Sequence, residues 1–235
     1  MKIKKICLLI FICFFAVIAT GRDDPDAANW NIIALDTARD ADYLSNIEKD
    51  VILETNKVRT DPKKFAALYI QPRLRYFKGR NYSVPGQITF VTQEGVAAVN
   101  ACITALNKAK SVGVLRPERG LSLAAKDHAN DQSRTGNIGH TGSDRSDSVS
   151  RMKRYGSFGG SWASAENISY GSTTGREIVI QLLIDDGVSN RGHRIAIMNG
   201  IYTQTGAGYA THPRYRASCT ITYTNGYISK DFRTR

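Results

Sequence analysis

The chain has 235 residues and a formal net charge of +11, a length that suits one domain behind a short leader, since single domains commonly run to about 100–200 residues. It is long enough to bury a sizeable core. The basic excess favours adhesion to anionic lipid, glycan or cell-wall polymer, and the lack of any nucleic-acid-binding motif argues against nucleic acid as the partner.

Residues 1–21 have the three parts of a secretory signal: Lys2, Lys4 and Lys5, an apolar run from Ile6 to Ile18, and the small residues Ala19 and Gly21. The run is short for a bilayer span, which takes about 20 apolar residues, and the polar Arg22-Asp23-Asp24-Pro25-Asp26 follows at once. Cleavage near Gly21 and export are the expectation. Cys7 and Cys13 would leave with the leader, and the three leader lysines with them, so the mature chain keeps +8 and two cysteines, Cys102 and Cys219. In an oxidising compartment that even pair predicts one disulfide; the alternative is two separately buried thiols.

Residues 22–42 are polar and acidic without a sustained period and read as a flexible lead-in, with order beginning near Tyr43. Leu44, Ile47, Val51 and Val58 then fall on one face of a helix, with Glu48, Lys49, Glu54 and Lys57 toward water. Asp61-Pro62 caps and starts a second short helix over 63–70. Prolines, glycines and arginines between 71 and 90 signal a long surface loop. A helical stripe returns at Val96, Val99, Ile103 and Leu106. Another helix runs over 121–135, opened by Ser122 and stopped by Gly136, its alanines implying close approach to a neighbour and its His128 reading as a core histidine.

Gly139-His140-Thr141-Gly142 forms a glycine-flanked polar loop, and 146–155 a short basic helix. Residues 165–170 read as a strand. Thr174 and Glu177 form a capping box leading into Ile178–Ile184, apolar nearly all round and therefore deeply buried. Beyond Met198 the period changes to two, and 203–210 with 217–223 read as antiparallel strands joined across His212-Pro213-Arg214-Tyr215. Helices first and strands last give an α+β fold, helices packed on an antiparallel sheet.

The stretch 184–198 gathers Asp185, Asp186, Arg191, His193 and Arg194 in a glycine-punctuated turn between apolar flanks, where desolvated charges need partners. One reading is a site. The other is structural: the acids end a helix, Ser189 caps the next, and Arg191 and Arg194 neutralise them.

Gly139-His140-Thr141, Ala165-Glu166-Asn167-Ile168, Arg191-Gly192-His193-Arg194 and Gly206-Ala207-Gly208-Tyr209, in that order, resemble the CAP superfamily of cysteine-rich secretory, antigen 5 and pathogenesis-related proteins. Asn56-Lys57-Val58-Arg59 looks like that family's opening helix. The resemblance runs over residues 43–227 and implies a three-layer α-β-α sandwich with a central antiparallel sheet and a cleft, followed by a basic tail at 228–235. It implies a cleft lined by His140, Glu166, His193 and a second acid, for which Asp185 is the nearest carboxylate, with Leu182 standing near the family's tryptophan; Asp186, Arg191 and Arg194 support it. In some relatives this set holds a divalent metal such as zinc, here on His140 and His193. Two neutral imidazoles can ligate zinc while carboxylates fix their tautomers. No serine or cysteine nucleophile is visible beside a base. Two function classes follow: a secreted module that binds a lipid, glycan or envelope component, and a metal-dependent hydrolase of peptide, ester or glycan bonds. Binding is the favoured one.

Overall fold

The computed structural model describes residues 29–86 and 88–231, and the signal segment at 1–21 lies outside them. The chain divides into a unit ending at Trp30 and a second that runs from Asn31; the second carries the fold.

Order begins earlier than the lead-in reading expects. A single-turn helix α1 (Ile32–Leu35) is capped by the Asn31 side chain, and Leu35 and Ala38 are buried. Ala38 packs with Leu44, Ile52 and Ala207 in one cluster, so apolar residues too sparse to show a period still find the core. Helix α2 (Asn46–Thr60) starts at a Ser45–Glu48 capping box. The expectation that Glu48, Glu54 and Lys57 face water fails: all three are buried, because α2 packs on the sheet at β7 and alongside α7. Each has found a partner. Glu48 also accepts from the Tyr209 amide at 3.0 Å, and Lys57 pairs with Glu54 at 2.8 Å. Arg59 donates to the carbonyls of Gly113, Ile197, Asn199 and Tyr202, which locks α2 to two distant loops.

Asp61 caps α3 (Pro62–Phe65), with Pro62 at the first position, and a π-helical turn (Ala66–Ile70) and a 3-10 turn (Gln71–Tyr76) continue it. The expected loop beyond is partly ordered as a small antiparallel sheet of β1 (Phe77–Lys78), β2 (Asn81–Tyr82) and β3 (Phe90–Val91). Helix α4 (Val96–Lys108) packs on α7 and the π-turn. After β4 (Arg116–Pro117) comes α5 (Arg119–Thr135), ended by Gly136 at φ 69°. Then come α6 (Ser148–Tyr155), β5 (Gly156–Phe158), β6 (Ser164–Tyr170), α7 (Gly175–Ile184), α8 (Gly192–Met198), β7 (Gln204–His212), β8 (Arg216–Thr224) and β9 (Tyr227–Ser229). Strand β9 pairs with β5, so Ile228 and Ser229, the first residues of the expected tail, belong to the fold.

The main sheet has the order β4-β7-β8-β6. Its three long strands are antiparallel and the two-residue β4 joins β7 in parallel. Side chains alternate across a strand, so Gly206 and Gly208 of β7 face α5 while Ala207 between them faces α2. Added Cβ atoms at Gly206 and Gly208 would lie 2.2 and 2.4 Å from the α5 backbone. Glycine is what lets α5 lie flat on the strand. Helices α2, α7 and α8 cover the other face, which gives the three-layer α-β-α sandwich, and β6 is left as the strand at one edge.

The expected disulfide is absent: Cys102 and Cys219 are free and buried. Cys102 sits on α4, which packs on α7, whereas Cys219 lies mid-strand in β8 between Ser169 and Tyr209. Burial first, relieved in part by Arg194, pushes the Cys102 thiol up to about 11; burial raises Cys219 as well.

Candidate functional site

Two histidine–carboxylate pairs form around β6. His140 stands in the loop after α5, where Gly139 holds φ 93°, and its Nδ1 lies 2.9 Å from Glu166 Oε1 on β6. The second Glu166 oxygen accepts from Arg151 Nη2 at 2.8 Å. Arg151 projects inward from α6, and its guanidinium also donates to the carbonyls of Ser146 and His140. The Glu166 and Arg151 side chains are only 3% and 2% exposed, whereas His140 is 57% exposed. A buried ion pair therefore backs a solvent-facing imidazole. Burial alone would raise the Glu166 carboxyl, but the His140 hydrogen bond and the Arg151 charge carry it below its ordinary range.

The second pair comes from the turn between α7 and α8. Asp185 ends α7 in the left-handed region at φ 57°, a conformation that aspartate tolerates better than most residues. Its carboxylate is thereby aimed at the start of α8, where Oδ2 accepts from the His193 amide at 3.0 Å and Oδ1 meets His193 Nδ1 at 2.6 Å. The Asp185 side chain is 1% exposed and His193 25%. An ionised carboxylate only accepts, so in both pairs Nδ1 carries the proton and Nε2 is the nitrogen left for a ligand.

The rest of the turn answers the structural alternative. Asp186 stays out of the pair: its oxygens accept from the amides of Gln93 and Glu94 ahead of α4. Arg191 pairs with Glu94, and that bond, with the Gly187 amide, draws Glu94 down to about 2. Arg194 donates to the carbonyls of Leu183 and Ile184, satisfying the end of α7. Among the described residues neither arginine forms an ion pair with Asp185 or Asp186, and Ser189 is not the cap; α8 starts from Arg191 at φ 51°. The helper that sequence reading missed is Arg151, hidden among the surface cations of a basic helix. Its one signal is position, next to the buried Met152 on the inner face of α6.

Asn167, one residue on from Glu166, points to the opposite face of β6 and donates to the His193 carbonyl at 3.1 Å. The His140 pair thus lies on the α5–α6 side of this edge strand and the His193 pair reaches it from the α8 side. His128 is a core residue as expected, its Nε2 held 2.8 Å from the Gly139 carbonyl, which fixes the loop that carries His140.

The donor set does not fit a resident zinc. Each Nε2 is available, but both Glu166 oxygens and both Asp185 oxygens are already bonded. Among the described residues no group of three or more His, Cys, Asp or Glu side chains is placed to hold an ion. A catalytic zinc takes three protein ligands. The Ser143 hydroxyl, in the loop after His140, donates to Asp131 at 2.5 Å.

A three-layer sandwich with two histidine–acid pairs at the edge of an antiparallel sheet defines the class. The family model "CAP: Cysteine-rich secretory protein family" matches residues 54–225, and the chain belongs to that family. Among solved structures the chain is similar to an outer surface protein of Borrelia burgdorferi, at 16% identity and TM-score 0.39 over 51% of this chain and 80% of that one. It is also similar to an extracellular protein containing a SCP domain from Bacillus anthracis str. Ames, at 20% identity and TM-score 0.38 over 51% of this chain and 35% of that one. A comparison with curated proteins finds no match.

Proposed function

We propose that this chain is an exported CAP-family binding module. Its His140–Glu166 and His193–Asp185 pairs and its basic surface engage a component of the cell envelope, an anionic lipid or a glycan. The observation that carries this reading is that both carboxylates hold an imidazole in place. Each oxygen of Glu166 and of Asp185 already accepts a hydrogen bond, from His140 and Arg151 and from His193, which suits them to orienting the rings, while neither Nε2 has a protein partner among the described residues. Oriented hydrogen-bonding groups suit recognition. Export rests on the sequence of residues 1–21; among the described residues no helix is long and apolar enough to cross a membrane.

The test uses the mature protein and its His140→Ala/His193→Ala variant in co-sedimentation with phosphatidylglycerol vesicles and with insoluble cell-wall glycan. A parallel panel of ester, peptide and glycan substrates is assayed with added zinc. Binding to one of the two probes that falls about tenfold in the variant supports the proposal. Turnover that is lost in the variant would establish the metal-dependent hydrolase instead.

A further inference from the structure

A concave surface lies at the other end of α7 from Asp185. The helix has ten residues, so at 1.5 Å per residue about 15 Å of helix separates its start from Asp185. There the 3-10 turn, the small sheet and the Gly171–Thr174 connection enclose a trough of about 770 Å³, within the ~300–1,000 Å³ usual for small-molecule sites. Tyr69, Tyr76, Tyr82 and Phe90 give it aromatic walls, and Thr173 and Arg216 stand on its rim. Tyr76 and Tyr82 meet edge to face at 6.1 Å, making a corner, and Phe90 is 59% exposed.

The charges in the trough are unequal. Arg73 pairs with Glu177, and Arg176 lies over the Tyr69 ring and pairs with Glu54. Arg216 has neither: among the described residues its guanidinium makes no hydrogen bond or ion pair. It also holds φ 69°, a conformation that glycine would adopt at less cost. Three arginines thus meet two glutamates, Glu177 in the lining and Glu54 behind Arg176, which leaves Arg216 as the cation unmatched.

We propose that this trough binds a carboxylate-bearing saccharide. Aromatic faces stack against the C–H faces of sugar rings, which are weakly positive where the ring face is negative. The hydroxyls of Tyr76, Tyr82 and Thr173 match sugar hydroxyls, and Arg216 takes the acid as a charge-assisted pair. Tyr76 and Tyr82 already accept from Arg75 and Arg73, but an acyl chain would fit poorly, because it would desolvate the Arg216 guanidinium without a partner. The site is independent of the histidine pairs, and its failure would leave the reading of those pairs untouched.

Calorimetry of the mature protein with tetragalacturonate, sialyllactose and muramyl dipeptide tests it, each compared with its carboxyl-esterified or neutral counterpart, and with palmitate as the lipid control. At least one acid sugar binds saturably, its uncharged counterpart binds about tenfold more weakly, and Arg216→Gln and Phe90→Ala each lower the affinity by about tenfold. Both positions are exposed, so both variants keep the fold. The His140→Ala/His193→Ala variant binds like wild type. The proposal is overturned if none of the three sugars binds, if Arg216→Gln leaves the affinity unchanged, or if palmitate displaces the sugar and binds more tightly.

Discussion

Arg151 is the residue on which the His140 side of the site depends. It is almost fully buried, its charge is answered by Glu166, and it pins the carbonyl of His140 itself. Removing one partner of a buried pair leaves the other charge uncompensated, so Arg151→Met costs about 3–5 kcal/mol in denaturant unfolding. The pair also makes stability depend on pH. The folded-state Glu166 carboxyl lies below its ordinary 4.5. Its contribution is therefore fully present above that value and is lost as the pH falls through the depressed one. An acid titration of unfolding should show a loss in wild type that is smaller in Arg151→Met; identical pH profiles would contradict the assignment. Sequence alone makes His140, Glu166 and His193 legible through their motifs. It leaves open which aspartate joins them, because a left-handed φ at Asp185, invisible in the residue string, decides where that carboxylate points.

At the scale of elements, the contact between α5 and β7 sets the geometry of the sandwich. Gly206 and Gly208 stand where any Cβ would enter the α5 backbone, and backbone cannot step aside as a flexible side chain can. Gly208→Ala should cost about 1–3 kcal/mol or more, read as a fall in Tm of about 2–4 °C per kcal/mol for a domain of this size. An unchanged Tm would mean that α5 sits farther from the sheet. The alanines of α5 make a close approach readable from the sequence, and the Thr174–Glu177 pattern makes the start of α7 readable. The faces of α2 are not readable in this way. A 3.6-residue period identifies Val51 and Val58 as buried, but Glu48, Glu54 and Lys57 go inside too, because the helix is covered on several sides: Lys57 pairs with Glu54 within the helix, and Glu48 and Glu54 also meet Tyr209 and Arg176, far away in sequence. The small sheet β1–β3 was hidden for a related reason: two-residue strands are too short to carry an alternation.

For the whole molecule, the absence of a disulfide changes what holds it together. The two thiols are buried apart on α4 and β8, so stability rests on the sandwich core and on long-range polar ties such as those of Arg59. Thiol titration of the mature protein should find two reactive groups once it is denatured without reductant, and slow reaction before, because burial keeps both thiols protonated. Finding none after denaturation would restore the bridge. The even cysteine count could not decide this, since pairing requires Cα atoms within about 7 Å and spacing along the chain says nothing of that.

In the proposed function the two histidine–acid pairs, approaching β6 from opposite faces, serve one ligand. The most direct test is a double-mutant cycle in envelope binding: wild type, His140→Ala, His193→Ala and the double variant, each titrated with the probe that sediments the wild type. Two groups on one ligand should be coupled, with the double variant departing from the sum of the singles by about 0.5–3 kcal/mol. Losses that add to within about 0.3–0.5 kcal/mol, or no loss in either single variant, would contradict it.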